Sequence, residues 1–373
     1  MADLVAIDLP GGPGFVDALR RVWDRGDAVL PLDQRLPSAA RQRVLDALRP
    51  TRLLDGHGEQ ALHGDPVEPG DALVVPTSGS TGAPKGVVHT HHGITSSATA
   101  GNARLGTRPD DHWLACLPLA HIGGFTVISK ALVAGTRLTV IPRFDAEAAV
   151  AAAHAGASMV SLVPTALRRI DPSLFRVVLL GGSRPPAERP ANVIATYGST
   201  ETGSGVVYDG RPLDRVEIRI AGDGEILVRG PMLMRGYRDG TSSIDRDGWL
   251  HTDDVGSWTP DGRLHVDGRR GDMIVSGGEN VWPDAVERVL TTDPEVAEVA
   301  VAGVADPEWG QRVTAWIVAS DAQRPPPPER LRALVAEQLA AFAAPKRIHY
   351  VTDLPRTPLG KVVRAALVEP PVD

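Results

Sequence analysis

The stretch Thr77-Ser78-Gly79-Ser80-Thr81-Gly82-Ala83-Pro84-Lys85-Gly86-Val87 decides how the rest of the chain is read. Its composition is that of a phosphate-binding loop. Gly79, Gly82 and Gly86 let backbone N–H groups approach an anion, Thr77, Ser78, Ser80 and Thr81 add hydroxyl donors, and Lys85 adds a full positive charge. The apolar run 72–75 before it predicts a short buried strand, and 93–105 after it has the composition of a helix. The loop is therefore expected on a strand-to-helix passage, where nucleotides bind in α/β folds. It is not a Walker A sequence, because Gly360-Lys361 is followed by Val362 rather than Ser or Thr. Taken alone, a Gly/Ser/Thr cluster reads equally well as a surface loop, so the neighbouring sequence has to arbitrate.

A chain of 373 residues exceeds what one compact core usually holds, which predicts two domains. With 42% hydrophobic and 23% charged residues the composition is that of a soluble globular protein. A formal net charge of -7 argues against a nucleic-acid surface, so an anionic small ligand would need a local cationic cluster. Cys116, in the apolar run 113–119, has no second cysteine to pair with; it reads as core, and suits a reducing cytoplasm. The acidic residues Asp3 and Asp8 do not form a targeting signal, and no apolar run reaches membrane-spanning length, so membrane insertion is not expected.

Before the loop, the patterns predict a helix over 15–23, a strand over 28–31 and a helix over 39–48, with little chemistry among them. From 94 to 197 helical and extended patterns alternate: helices at 123–133 and 146–154, strands at 137–141, 159–163, 177–180 and 193–197. Such alternation predicts βαβ units and a largely parallel sheet. From 206 to 266 short strands are punctuated by Asp209, Asp223, Asp239, Asp247 and Asp261, each preceding a glycine, which predicts antiparallel hairpins. Beyond 268 a helix at 284–290, strands at 296–304 and 312–318, a proline connector at 325–328 and a helix at 328–339 predict a small α+β unit. The expected fold is α/β: a large N-terminal domain of layered sheets and helices with a β-rich subdomain over 1–268, and a small mobile α+β domain over 269–373.

Five further stretches, with the loop at 77–87, resemble in order the motifs of the acyl-adenylate-forming enzymes, the superfamily of acyl-CoA synthetases, adenylation domains and luciferases. Tyr197-Gly198-Ser199-Thr200-Glu201-Thr202 resembles the motif whose aromatic packs on adenine, whose threonine meets the α-phosphate and whose glutamate holds Mg²⁺. Gly181-Gly182-Ser183 resembles the turn that passes the adenine. His251-Thr252-Asp253-Asp254 resembles the ribose-binding Thr-Gly-Asp, with Asp253 where glycine is usual. Gly268-Arg269-Arg270-Gly271-Asp272 resembles the hinge, implying a nucleotide contact for Arg269, a pivot at Asp272 and, in Ser276-Gly277-Gly278-Glu279, the loop lining a pantetheine tunnel. A lysine common before the pivot is Gly271 here. Pro355 to Arg364 resembles the terminal motif whose lysine, here Lys361, bridges the acyl carboxylate and the α-phosphate.

The resemblance implies ATP, Mg²⁺ and CoA as cofactor and co-substrates, and a small carboxylic acid as the partner to be activated. Lys361, Glu201 and Lys85 would act on the reacting phosphates. His121, in Leu117-Pro118-Leu119-Ala120-His121, resembles a histidine beside the acyl pocket and reads equally as a structural residue at a helix start. The short region before the loop and the Ser-Gly-Gly-Glu-Asn sequence resemble the compact o-succinylbenzoate:CoA ligases of menaquinone biosynthesis. Another aryl or short-chain acyl-CoA ligase, an adenylation domain serving a carrier protein, and a non-catalytic adenylate-binding relative are the alternatives. A homodimer is the base-rate expectation for the assembly.

Overall fold

The computed structural model describes residues 1–78, 84–183, 185–186, 188–356 and 362–368. Two compact units emerge: Met1–Arg219 with Leu227–His251, and Ile220–Ile226 with Thr252–Asp373.

The first unit carries two seven-stranded sheets. In one, Leu4–Ile7 lies between the parallel strands Ala28–Pro31 and Arg52–Asp55, and Ala28–Pro31 pairs in turn with Asp71–Ser78. The outer pairs are antiparallel: Asp71–Ser78 with Pro84–Thr90, Gly236–Tyr237 with Pro84–Thr90, and Gly58–Ala61 with Arg52–Asp55. In the other sheet Val193–Ser199, Val177–Leu180, Met159–Leu162, His112–Ala115 and Arg137–Val140 run parallel. Ser204–Tyr208 and Arg211–Pro212 close its edge antiparallel, through a turn in which Asp209 (φ 47°) and Gly210 (φ 77°) are both left-handed. That is the turn an Asp-Gly pair predicts. Central strands such as Leu4–Ile7 and Val177–Leu180 are buried along their whole length, as parallel strands covered on both faces must be.

One expectation about the 77–87 stretch is corrected. Residues 84–90, Pro-Lys-Gly-Val-Val-His-Thr, form a strand antiparallel to Asp71–Ser78, so the described ends of the stretch lie on two paired strands rather than on a strand-to-helix passage. The helix begins only at His91, where the Thr90 side chain accepts from the Gly93 N–H at 3.1 Å and caps it. Gly86 has a packing reason as well. A Cβ there would stand 2.8 Å from both Leu48 Cδ2 and Val74 Cγ1, so this glycine lets the hairpin press on the core. The N-terminal residues, which show little chemistry in sequence, supply the parallel centre of this sheet.

Helix Ile122–Ala134 packs against His91–Leu105 and brings Lys130 inside, 1% exposed, with no hydrogen bond or ion pair from Nζ among the described residues. Burial holds its pKa down to about 8 from 10.5. A lysine with a lowered folded pKa costs stability while protonated: the cost is full below about 8 and gone above about 10.5. Lys130→Met should therefore raise stability at pH 7 by about 2–3 kcal/mol, read as a higher urea midpoint, with the gain vanishing near pH 10.5. A lower midpoint at pH 7 would mean the ammonium is needed where it sits.

In the second unit Asp254–Trp258 pairs antiparallel with Leu264–Arg269. A five-stranded sheet follows, with strands Glu279–Val281, Ile274–Ser276, Gly310–Ala319 and Val296–Asp306 in order and Arg347–Tyr350 parallel to Gly310–Ala319. Helices Pro283–Leu290 and Pro328–Gln338, each opening on a proline, bury Val286, Leu290, Leu331 and Val335 against Val301, Val313 and Ile317. The α/β class and the small α+β unit are as expected from sequence.

Candidate active site

In the first unit, strand Val193–Ser199 carries Tyr197 and ends in the turn Thr200-Glu201-Thr202. The ladder to Ser204–Tyr208 shifts register between Tyr197 and Gly198, and a Cβ on Gly198 would meet the Ser204 carbonyl oxygen at 2.1 Å. Gly198 is thus required by backbone approach, and the bulge re-aims the residues after it. Thr202 is buried; its hydroxyl accepts from the Ser199 N–H at 2.7 Å and lies 2.7 Å from the Ser204 carbonyl oxygen. The Met234 N–H donates to the Glu201 carbonyl at 2.8 Å. His89 Nε2 lies 2.8 Å from the Thr200 carbonyl oxygen. Full burial holds the His89 ring down to about 4, so it is neutral, and the carbonyl partner places its proton on Nε2. The turn's backbone is thus pinned from three sides.

Glu201 itself meets Tyr237, whose hydroxyl donates to Glu201 Oε1 at 3.1 Å and stands 3.1 Å from Ser243 Oγ. Lys85 Nζ lies 5.1 Å from the centre of the same tyrosine ring. The strand pairing Tyr237 with Val87 explains the meeting: it sets the ring beside the hairpin arm that carries Lys85. A cation and a carboxylate therefore share one aromatic between them. Glu201 Oε2 has no hydrogen bond among the described residues, and no group of three or more metal-ligating side chains occurs among them. That donor set fits Mg²⁺, which takes one carboxylate and fills its octahedron with phosphate oxygens and water.

Thr77 donates to the Lys85 carbonyl at 3.3 Å, tying the two hairpin arms. Ser78 ends the first arm, while Gly79, Ser80, Thr81 and Gly82 lie outside the described residues. Gly181, Gly182 and Ser183 follow strand Val177–Leu180 directly; Gly182 is left-handed (φ 83°) and Ser183 is exposed. His121 is the residue before helix Ile122–Ala134, and its Nε2 lies 3.3 Å from Asp33 Oδ2 and 3.2 Å from Arg35 Nη2. Burial pushes the Asp33 carboxyl up, but Arg35 and His121 outweigh it and hold the group well below the usual carboxylate range. His121 thus stands at a helix start, as one of its two sequence readings has it, within a polar cluster with Asp33 and Arg35.

In the second unit Asp254 and Arg269 face each other across the ladder as paired residues, so two positions fifteen apart in the chain project from adjacent strands. Asp253 is left-handed (φ 59°), the backbone a glycine would take there most easily, and its N–H donates to Glu225 Oε1 at 3.1 Å. Aspartate is among the few residues that tolerate this region, which accounts for the substitution in the motif. Asp272 ends a 3₁₀ turn, Arg270–Asp272. Gly277 and Gly278 (φ 61° and 85°) form the two-residue turn joining Ile274–Ser276 to Glu279–Val281, and Trp309 backs Gly277. Lys361 lies outside the described residues.

Tyr237, Ser243 and His89 were not legible as site residues. Tyr237 sits in Arg235-Gly236-Tyr237-Arg238, which has no spacing that signals chemistry; only its pairing to the loop hairpin would have exposed it.

A nucleotide-type loop, a carboxylate turn and an aromatic bridging them define an adenylate-forming enzyme, and comparison with known families agrees. The profile of the AMP-binding enzyme matches residues 55–238, and that of the AMP-binding enzyme C-terminal domain residues 285–361. The chain belongs to the AMP-binding enzyme family. Within it, a Mycobacterium tuberculosis protein named "Probable 2-succinylbenzoate--CoA ligase" is 41% identical over 332 residues, 82% of this chain and 86% of that one. The 2-succinylbenzoate–CoA ligase of Bacillus cereus is 35% identical over 334 residues, 79% of this chain and 69% of that one. The o-succinylbenzoate CoA synthetase of Bacillus subtilis, solved with the acyl-adenylate intermediate OSB-AMP, superposes with a TM-score of 0.86 at 29% identity, covering 99% of this chain and 88% of that one. The same enzyme has been solved with ATP and magnesium ion, at a TM-score of 0.84 and 30% identity over 98% and 89% of the two chains.

Proposed function

We propose that this chain is an ATP-dependent o-succinylbenzoate:CoA ligase of menaquinone biosynthesis, acting in the cytoplasm and converting the acid, ATP and CoA into the acyl-CoA, AMP and pyrophosphate. The observation that carries it is the Lys85–Tyr237–Glu201 contact chain, which holds a cation and a metal-type carboxylate at the foot of the loop hairpin.

In the first half-reaction a carboxylate oxygen bonds to the α-phosphorus of ATP and the bond to the bridging oxygen of pyrophosphate breaks. Two anions must meet, so cations are needed from more than one direction. Lys85 and the hydroxyls and N–H groups of 77–82 orient the β- and γ-phosphates for in-line departure. Tyr197 and the Gly181-Gly182-Ser183 turn take the adenine, Thr200 the α-phosphate, and Asp254 and Arg269 the ribose side. Mg²⁺, held by Glu201, offsets negative charge on the phosphates. Lys361 bridges the carboxylate and the α-phosphate. In the second half-reaction the CoA thiolate bonds to the acyl carbon and AMP leaves. Residues 269–373 act as a mobile domain, and rotation about Asp272 exchanges Lys361 for the Gly277-Gly278 turn, which lines the pantetheine path.

His121, within its Asp33–Arg35 cluster, borders the acyl pocket in this reading. The acid is a dicarboxylate, so its second carboxylate must meet a cation or a polar network, since an uncompensated buried charge is costly. Pyrophosphate release should therefore favour o-succinylbenzoate over benzoate by about 100-fold or more in kcat/KM. Equal efficiency with both acids would replace this substrate by the general aryl acyl-CoA ligase reading.

A further inference from the structure

Arg364 lies three residues beyond Lys361, and its guanidinium reaches four acceptors on three other elements. Nη1 donates to Asp272 Oδ2 at 2.9 Å, Nη2 to Asp284 and to Glu287 Oε1 and Oε2 at 2.9 and 3.0 Å, and Nε to the Val301 carbonyl at 3.1 Å. These acceptors belong to the 3₁₀ turn Arg270–Asp272, the helix Pro283–Leu290 and the strand Val296–Asp306. Only a planar guanidinium can serve so many directions at once; an ammonium of similar reach cannot. Glu287 is itself fixed, accepting from the Val301 N–H at 2.8 Å.

The segment is anchored on its other side as well. Arg356 and Val362 form an antiparallel bridge, the Val363 N–H donates to the Pro355 carbonyl at 2.8 Å, and Arg356 pairs with Glu298. Leu354 is buried with Ala300 and Trp316, and Val362 and Leu367 pack on them. The apolar contacts hold this segment to the sheet, while Arg364 fixes its register against the turn containing Asp272.

We infer that Arg364 is a positioning residue that ties the segment carrying Lys361 to the hinge turn at Asp272, so that hinge and lysine move as one piece. This rests on the ligase reading above. Its consequence is selective: loosening the segment harms the half-reaction that uses Lys361 and leaves the other intact. A residue needed only for the fold would harm both alike.

The test uses full-length Arg364→Gln and Arg364→Lys beside wild type. In Arg364→Gln the kcat for pyrophosphate release should fall about 10- to 100-fold, since small misplacements remote from the chemistry cost that much. The KM for ATP and thioester formation from pre-made acyl-adenylate and CoA should stay within about threefold. Arg364→Lys should be nearly as impaired, because charge alone does not restore five directed bonds. Hydrogen exchange over 354–368 should quicken in both variants, a readout that needs no activity. Equal loss in the two half-reactions, full rescue by lysine, or unchanged exchange over 354–368 each overturns the proposal. Wild-type protein that releases no pyrophosphate, with exchange still quickened in the variants, overturns the ligase reading and leaves the anchoring role standing.

Discussion

Lys361→Ala is expected to slow pyrophosphate release by about 10²- to 10³-fold, the worth of one well-placed cation where charge builds at the α-phosphate, about 3–4 kcal/mol. The same protein, supplied with pre-made acyl-adenylate and CoA, should form thioester at a rate close to wild type, because in the proposed mechanism the domain turns Lys361 away for that half-reaction. The split between the two half-reactions is the informative quantity. A solvated tail lysine would move neither, since surface substitutions away from special features shift stability by only about ±0.5 kcal/mol. Equal loss in both would mean that Lys361 stays in the site throughout, and rotation about Asp272 would have to be abandoned.

Glu201→Gln is expected to lower pyrophosphate release by about 10²-fold at saturating Mg²⁺ and to raise the Mg²⁺ concentration needed for half-maximal rate. Glutamine keeps an oxygen that can accept from Tyr237 but loses the negative charge that the cation requires. The fold should survive, because the turn is held through backbone groups: His89 at the Thr200 carbonyl and Met234 at the Glu201 carbonyl. Tyr237→Phe separates orientation from charge. It removes one hydrogen bond to Glu201, worth about 1.5 kcal/mol when the acceptor is ionised, so its effect should be about tenfold. A magnesium titration unchanged in Glu201→Gln would remove this residue from the metal site.

The strands and turns that frame the candidate site were legible because the residues that set them are close in sequence. The Tyr197 to Thr202 stretch, the Gly181-Gly182-Ser183 turn and the Asp-Gly hairpins each carry their own local rule, and Asp209-Gly210 takes the left-handed turn its composition predicts. The hairpin at the loop was missed because the periodicity of 84–90 is short and two valines were absorbed into the approach to a helix. Its second strand shows only in pairing with Asp71–Ser78, a tertiary fact. Tyr237 and His89 were missed for the same reason. Each reaches the motif across more than thirty residues of chain, and an aromatic or a buried histidine far from any motif reads as ordinary core. Asp254 and Arg269, assigned separately, are cross-strand partners, which no linear spacing rule would have stated.

The most direct measurement of the central claim is to incubate the purified protein with o-succinylbenzoate, ATP and Mg²⁺, first without and then with CoA, and to follow the products by mass spectrometry. The expected result is o-succinylbenzoyl adenylate and pyrophosphate in the first incubation, and o-succinylbenzoyl-CoA with AMP in the second. Intact ATP in both incubations, or adenylate that accumulates and is never transferred to CoA, would contradict it.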